Sequence, residues 1–220
     1  AEGADFYAAP TLSPDGRRLA WIEWSRPHQP WTSTRLMLAE RNAGAWNEPR
    51  CVAGSGHEES IQQPRFDDRS RLYCLSDRDG YWQPWTESAD DLEPLPAAEA
   101  DHAPAPWQLG GCTWLPLGER DYLASWTEAG FGRLGLCRSD GVYEDFTGSY
   151  SRFRSLALDE RFIYAIAASP ISPSAVIAIE RQNHAVVVLA GGVAPLPVEH
   201  ISRPRTLRYP SASSQAHGFF

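Results

Sequence analysis

Short hydrophobic runs alternate with turn-forming residues along most of the chain, at a spacing typical of β-strands. The pattern opens at residues 10–21, where two strand-like runs flank the polar turn Ser13-Pro14-Asp15-Gly16. A weaker copy follows at residues 63–73. A strand–turn–strand unit that recurs about every 45 to 50 residues predicts the four-stranded antiparallel blades of a β-propeller. No useful length of the chain has a helical period, so the predicted fold class is all-β.

We expect a partial propeller of about four blades, followed by a tail. The predicted blades span residues 6–56, 57–97, 98–148 and 149–194. The tail, residues 195–220, is rich in Pro and Ser and is expected to act as a linker with one strand near Arg205 to Tyr209.

Charge and hydropathy exclude two classes of partner. The net charge of -8 and the pI near 5.2 argue against nucleic acid, and every basic side chain is Arg. No run approaches 18 apolar residues, so no membrane helix is expected. The first residues lack a basic region and an apolar core, so we expect no signal peptide.

The cysteines point to a reducing compartment. Cys51, Cys74, Cys112 and Cys137 are far apart and form no C-x-x-C motif. We expect reduced, buried thiols on strands, which suits a cytoplasmic location, with zinc ligation as a weaker alternative.

Several segments together resemble a known family. The carrying segments are, in chain order, Ser13–Trp24, Pro30-Trp31, Leu75–Trp82, Arg133–Leu136, Ala168–Val176 and Ala216–Phe220. In this order they resemble the propeller domain of prolyl-oligopeptidase-family serine peptidases, most closely the bacterial dipeptidyl aminopeptidases and acylaminoacyl peptidases. One departure is Asp67-Asp68-Arg69-Ser70, which stands where the family has a second S-P-D-G turn, so this turn is expected to differ.

The resemblance implies that this chain is one part of a larger enzyme. Such propellers have about seven blades, so four correspond to the C-terminal part of a propeller. Residues 216–220 resemble the junction into an α/β-hydrolase domain, which would carry the catalytic Ser, Asp and His.

No catalytic residue, metal ligand or cofactor is expected within these 220 residues. The G-x-S-x-G pentapeptide that presents a nucleophilic serine does not occur. Gly54-Ser55-Gly56-His57 brings a Ser close to a His, but not at the spacing of such an elbow. The six histidines form no i, i+4 pair, which argues against a metal site.

Binding is the more plausible chemistry. In a four-stranded antiparallel blade, the loop between the second and third strands lies on the same face as the connection to the next blade. Carboxylates beside aromatic rings on that face can hold the ammonium group of a peptide. The candidate substrate-binding residues are Arg26, His28, Trp31, His57, Glu58, Glu59, Arg78, Trp82 and Glu128. The competing interpretation is that they are ordinary solvated loop residues.

The leading hypothesis is therefore a non-catalytic propeller segment of a serine peptidase, which gates and orients short peptides. The alternatives are a TolB-like interaction module and a stand-alone propeller lactonase or glycosidase. The expected partners are a hydrolase domain of the same parent chain and short peptides, with no nucleic acid and no membrane. Four blades of a larger ring leave open faces, so we also expect either a homodimer across them or a tightened ring.

Overall fold

The structure is a computed structural model that describes residues 2–56, 58–89, 91–194, 196–212 and 214–220. Its strands form four antiparallel sheets in chain order, followed by a two-stranded hairpin. The helical content of the described residues is one 3-10 turn, Val198–His200. The predicted all-β partial propeller is confirmed.

Each sheet is a blade, and in blades 2, 3 and 4 consecutive strands pair. Blade 1 contains β1 (Phe6–Leu12), β2 (Arg18–Trp24), β3 (Arg35–Asn42), β4 (Ala45–Trp46) and β5 (Arg50–Ala53). Blade 2 contains β6 (Ile61–Phe66), β7 (Leu72–Ser76), β8 (Gln83–Glu87) and β9 (Leu92–Pro94). Blade 3 contains β10 (Trp114–Gly118), β11 (Asp121–Glu128), β12 (Phe131–Cys137) and β13 (Tyr143–Asp145). Blade 4 contains β14 (Arg152–Leu158), β15 (Phe162–Ser169), β16 (Ser172–Glu180) and β17 (Val186–Gly191). The tail hairpin contains β18 (Thr206–Ser211) and β19 (Ser214–Phe219).

Blade 1 departs from the expected four strands. The two-residue strand β4 pairs with the end of β3, and β5 pairs with the rest of β3, so this sheet has five strands. The tail also has one strand more than expected, because β18 and β19 pair with each other. Its role as a linker stays a prediction.

The blades are arranged radially around their first strands. The neighbouring first strands β1 and β6, β6 and β10, and β10 and β14 contact one another in turn. Three apolar clusters lie between successive blades, so the core is between sheets rather than within one layer. Such burial contributes roughly 1.5–3 kcal/mol for each large side chain.

Strand β7 shows how the sequence builds this core. Leu72 and Cys74 face blade 1, whereas Tyr73 and Leu75 face blade 3. Successive strand residues point to opposite faces. A strand buried on both faces must therefore be apolar at every position, which explains the unbroken run in this segment.

The two related turns differ by one residue, as the sequence led us to expect. In blade 1 the N–H of Ser13 donates to the carbonyl of Arg18, with Gly16 at φ 69°. In blade 2 the span is shorter, because the N–H of Asp67 donates to the carbonyl of Arg71. Ser70 takes the positive φ, at 61°.

The first strands of blades 1, 2 and 4 each contain a bulge. The register shifts beside Ala9, Gln63 and Ser155, and these residues have φ of 50°, 49° and 55°. Positive φ is uncommon for residues with a side chain. The bulges bend the strands nearest the propeller axis.

All four cysteines are free thiols. Cys74 and Cys137 are fully buried on strands, as expected. Cys51 is on β5 but half-buried, and Cys112 is half-buried and precedes β10, so the expectation of a buried, strand-borne thiol was wrong for these two.

Candidate peptide-facing site

The predicted binding residues that the structure describes lie on the loop face. We define this face as the blade ends that carry the β2–β3, β7–β8 and β11–β12 loops and the connections between blades. Strand alternation places these segments together. Each first strand starts at this face, and each outer strand ends there.

A belt of hydrogen bonds joins the loops across three blades. The Ser60 hydroxyl donates to the carbonyl of Pro30 at 2.7 Å, and the Trp82 indole N–H donates to the carbonyl of Ser60 at 3.1 Å. The backbone N–H of Trp82 donates to the Asp101 carboxylate at 3.1 Å. The N–H of Thr127 donates to the Asp101 carbonyl at 3.0 Å. The belt fixes the loops relative to one another.

Glu59 and Arg78 are brought together, but as a closed ion pair. The Arg78 guanidinium donates to both oxygens of Glu59, at 3.0 and 2.9 Å, and Ser76 donates to the same carboxylate at 2.6 Å. Glu59 is 1% exposed. Its carboxylate is therefore already occupied, and no ammonium group of a peptide reaches it in this arrangement.

Arg78 also contacts two other residues of blade 2, Asp91 and Trp85. It donates to the Asp91 carboxylate at 3.0 and 3.1 Å and lies over the Trp85 ring, 5.1 Å from its centroid. Hydrogen bonding to Glu59 raises the pKa of Arg78 above its usual value, so the charge is permanent. The residue holds the β7–β8 loop in place.

The β2–β3 loop presents three further candidates. Arg26 and His28 are exposed, and the Arg26 guanidinium lies 5.8 Å from the centroid of the Phe6 ring. Trp31 is half-buried and packs against Trp107 of the β9–β10 connection, with ring centroids 4.1 Å apart. This contact joins blade 1 to the connection that leads into blade 3.

The remaining candidates that the structure describes are not part of the Glu59–Arg78 ion pair. Glu58 is exposed, and Glu128 pairs with Arg133 of its own blade at 2.9 Å. Trp82 belongs to the belt, where its indole N–H is used. His57 lies outside the described residues, so its prediction stays untested.

Beneath the Trp31–Trp107 contact is a pocket that the sequence did not predict. It lies between β1, β6 and the 106–111 segment. The side chains that form its apolar walls are Ile22, Trp24, Pro30, Ile61, Pro106 and Leu109. The walls come from segments up to about 100 residues apart, so only the fold brings them together.

Two of the three glutamines that line this pocket, Gln62 and Gln63, are hydrogen-bonded within the protein. The Gln63 amide oxygen accepts from the N–H of Thr113 at 2.9 Å, and its nitrogen donates to the Thr113 hydroxyl at 3.0 Å. The Gln62 amide donates to the carbonyl of Pro104 at 3.1 Å. The amides therefore align β6 with the β9–β10 connection instead of offering free donors.

The tail hairpin also ends on the loop face. The Phe219 ring packs edge-on against Phe131, with centroids 5.3 Å apart, and covers Gly130. Gly130 has φ of 84°, and a Cβ at this position would collide with the Phe219 ring. A glycine is thus required at this turn for two reasons: the backbone has a positive φ, and the Phe219 ring of the hairpin packs where a side chain would be.

Comparison with solved structures places this fold in a family. The whole chain superimposes on 35% of a Mycobacterium tuberculosis puromycin-hydrolyzing peptidase, with a TM-score of 0.88 and 31% identity. The chain is part of a prolyl-oligopeptidase-family propeller. It also matches 34% of a puromycin hydrolase at 24% identity and a TM-score of 0.88, with 99% of this chain covered.

More distant members share the fold. Prolyl oligopeptidase B from Galerina marginata is 13% identical, with a TM-score of 0.71 over 97% of this chain and 30% of its own length. The propeller segment therefore spans about a third of the length of the solved structures that it matches. No family model and no curated protein matches the sequence.

The loop face of this prolyl-oligopeptidase-family segment presents exposed charged side chains and an apolar pocket. Among the described residues, no group of three or more His, Cys, Asp or Glu side chains is suited to a metal ion. The same part of the chain contains no helix long and apolar enough to cross a bilayer.

Proposed function

We propose that this chain is the substrate-facing propeller segment of a serine peptidase, and that it gates and orients short peptides for a hydrolase domain outside these 220 residues. Within this proposal the parent enzyme is of the dipeptidyl aminopeptidase or acylaminoacyl peptidase type and acts in a bacterial cytoplasm. Glu59 and Arg78 are positioning residues, and the exposed Arg26, His28 and Glu58 are the groups that meet the peptide.

The placement of the tail hairpin carries this proposal. The outer strand of blade 4, β17, ends on the loop face, and Phe219 holds the hairpin against the β11–β12 turn of the same face. A domain that followed Phe220 would start above this face. The pocket and the exposed charged loops would then lie between that domain and the propeller, where a substrate must pass.

A chimera tests the proposal. In the Mycobacterium tuberculosis puromycin-hydrolyzing peptidase, the segment that matches this chain is replaced by this chain. The chimera is expected to cleave puromycin and short peptides, and to cleave unfolded casein much more slowly. A fluorophosphonate that labels the active serine reports whether the hydrolase domain is intact.

The orienting role predicts a selective loss in variants of the chimera. Arg26→Ala and Glu58→Gln are expected to lower kcat/KM for short peptides while leaving the hydrolysis of p-nitrophenyl acetate unchanged. Equal rates for casein and a tripeptide, or variants without any effect on peptides, would contradict the proposed function.

We further propose that the isolated chain pairs with a second copy through its terminal blades. Val186, Val187, Val188 and Leu189 of β17 are 42–55% exposed, and Leu12 of β1 is 54% exposed. Large exposed apolar areas favour association. Light scattering is expected to give the mass of a dimer, and a monodisperse monomer would contradict this proposal.

A further inference from the structure

We propose that the pocket beside β6 and the neighbouring Arg65 form one subsite, which takes the C-terminal residue of a short peptide when that residue has a large apolar side chain. The pocket receives the side chain and Arg65 receives the carboxylate. This inference rests on the proposed function and names the substrate chemistry of the pocket that opens near the loop face, with Arg65 farther along β6 from that face.

The pocket selects an apolar group because its walls offer little else. Trp24, Ile61 and Leu109 contribute aliphatic and aromatic surface. The amides of Gln62 and Gln63 already have partners, so at these two residues a polar side chain would lose hydrogen bonds to water without gaining new ones. An apolar side chain loses nothing on entry.

The rim of the pocket is unusually apolar for a surface. Trp107 and Leu109 are each 71% exposed, although both are large hydrophobic residues. Trp107 rests on Trp31. An open pocket with an exposed apolar rim is typical of a site that binds a ligand.

Arg65 supplies a positive charge at the wall of the pocket. It lies on β6, and its guanidinium donates to the carbonyl of the wall residue Gly111 at 3.3 Å. Its Nε is buried and has no hydrogen-bond partner. No carboxylate in the described part of the chain is paired with Arg65.

An arginine whose guanidinium has no carboxylate partner and whose Nε–H is unpaired can bind an anion. Its planar guanidinium can bind a carboxylate through two parallel hydrogen bonds. The chain has a net charge of -8, and Asp67 and Asp68 follow Arg65 closely in sequence, yet its guanidinium contacts the carbonyl of Gly111. A ligand carboxylate would satisfy both the charge and the orphaned donor.

The charge of the first strands agrees with an anionic ligand. Strands β1, β6, β10 and β14 contain three arginines, Arg65, Arg152 and Arg154, and no Asp or Glu. These strands are nearest the propeller axis. The field along the axis therefore favours an incoming carboxylate.

Binding of tripeptides to the 220-residue chain, followed by amide chemical shifts in NMR, tests the subsite. Gly-Gly-Phe is expected to bind about tenfold or more tightly than Gly-Gly-Ala, because the ring buries apolar surface. It is expected to bind about threefold to tenfold more tightly than its C-terminal amide, because only the acid pairs with Arg65.

Two variants separate the halves of the subsite. Arg65→Met is expected to remove the preference for acid over amide and to keep the preference for Phe over Ala. Gly111→Leu is expected to do the opposite. The built Cβ of Gly111 lies 3.6 Å from the Gln63 amide nitrogen, an ordinary contact, so the variant narrows the pocket without a backbone clash.

Matched controls come from the same chain. Arg17→Met removes an exposed arginine in the turn between β1 and β2, and Gly56→Leu adds a side chain where a Cβ meets nothing within 4 Å. Both controls are expected to bind like the parent chain, and thermal melts show whether each variant is folded.

The outcomes separate this subsite from the proposed function. The subsite proposal is overturned if the peptides bind with no preference for Phe or for the free acid and if Arg65→Met and Gly111→Leu leave the affinities unchanged. The proposed peptide-binding propeller would survive that result. A chain that binds none of the peptides overturns both.

Discussion

Replacing Arg78 by Met is expected to destabilise the fold strongly, because the substitution leaves Glu59 buried without its charge partner. Met keeps the length of the side chain and its contact with the Trp85 ring. The two hydrogen bonds at 3.0 and 2.9 Å disappear, and the carboxylate at 1% exposure retains only the Ser76 hydroxyl.

The expected loss is large for a single substitution. Breaking a buried ion pair by removing one partner costs about 3–5 kcal/mol. For a chain of this size, 1 kcal/mol corresponds to about 2–4 °C in Tm. We therefore expect Tm to fall by about 6–20 °C in a melt followed by circular dichroism, with a lower urea midpoint.

Two comparisons isolate the cause. Arg133→Met breaks an exposed pair with Glu128 and is expected to cost at most about 1 kcal/mol. Adding Glu59→Gln to Arg78→Met removes the unpaired buried charge and keeps an acceptor for the Ser76 hydroxyl. The double variant is therefore expected to recover much of the stability that Arg78→Met loses. A loss in Arg78→Met no greater than in Arg133→Met, or a double variant no more stable than the single, would refute the reasoning.

Three further predictions concern stability and access. Burial lowers the pKa of His102 to about 4 from 6.5, so the unfolded chain binds this proton first. Stability should be complete above about pH 6.5 and fall by up to about 3 kcal/mol toward pH 4 in urea titrations. Gly130→Ala should displace Phe219 and speed proteolysis of the tail hairpin. Burial raises the pKa of Cys137 to about 12 and raises that of Cys74, so neither should react with a disulfide reagent until the chain unfolds.

Each of these has an internal control. His102→Gln should flatten the acid limb of the stability curve, whereas the exposed His184→Gln should not. Gly141 has φ of 85°, so Gly141→Ala introduces the same backbone strain as Gly130→Ala but no collision with a ring. It should leave the tail hairpin as resistant to proteolysis as in the parent chain. The half-buried Cys51 and Cys112 should react before the two buried thiols. An unchanged acid limb, equal proteolysis of the two glycine variants or early reaction of the buried thiols would contradict these expectations.

The sequence predicted the blades well because their signal is local. Strand β7 is apolar at every position from Leu72 to Leu75, and the turn at Ser13–Gly16 has its own hydrogen-bonding side chains. Residues close in the chain decide such features. Pattern alone was therefore enough to place most strands, although it missed the extra strand β4 and one strand of the tail hairpin.

The candidate site was harder to predict because its partners are distant in the chain. Glu59 looks like a solvated loop carboxylate until Arg78 folds against it. Trp31 meets Trp107 across 76 residues, and the bulge at Gln63 has no sequence signature, since Gln rarely adopts positive φ. Arg65 is an arginine within a strand, and such a position could have been noticed in the sequence as a candidate anion-binding site. A half-buried charge needs a partner.

Whether the loop face binds peptides is tested most directly by titrating the 220-residue chain with Gly-Gly-Phe and following every backbone amide. Shifts confined to the amides of Arg65, Gly110 and Gly111 and to the loop at residues 26–31 are the predicted result. Shifts at the opposite blade ends, such as the Asp15-Gly16 turn, or no shifts at all, would contradict a peptide-facing loop face.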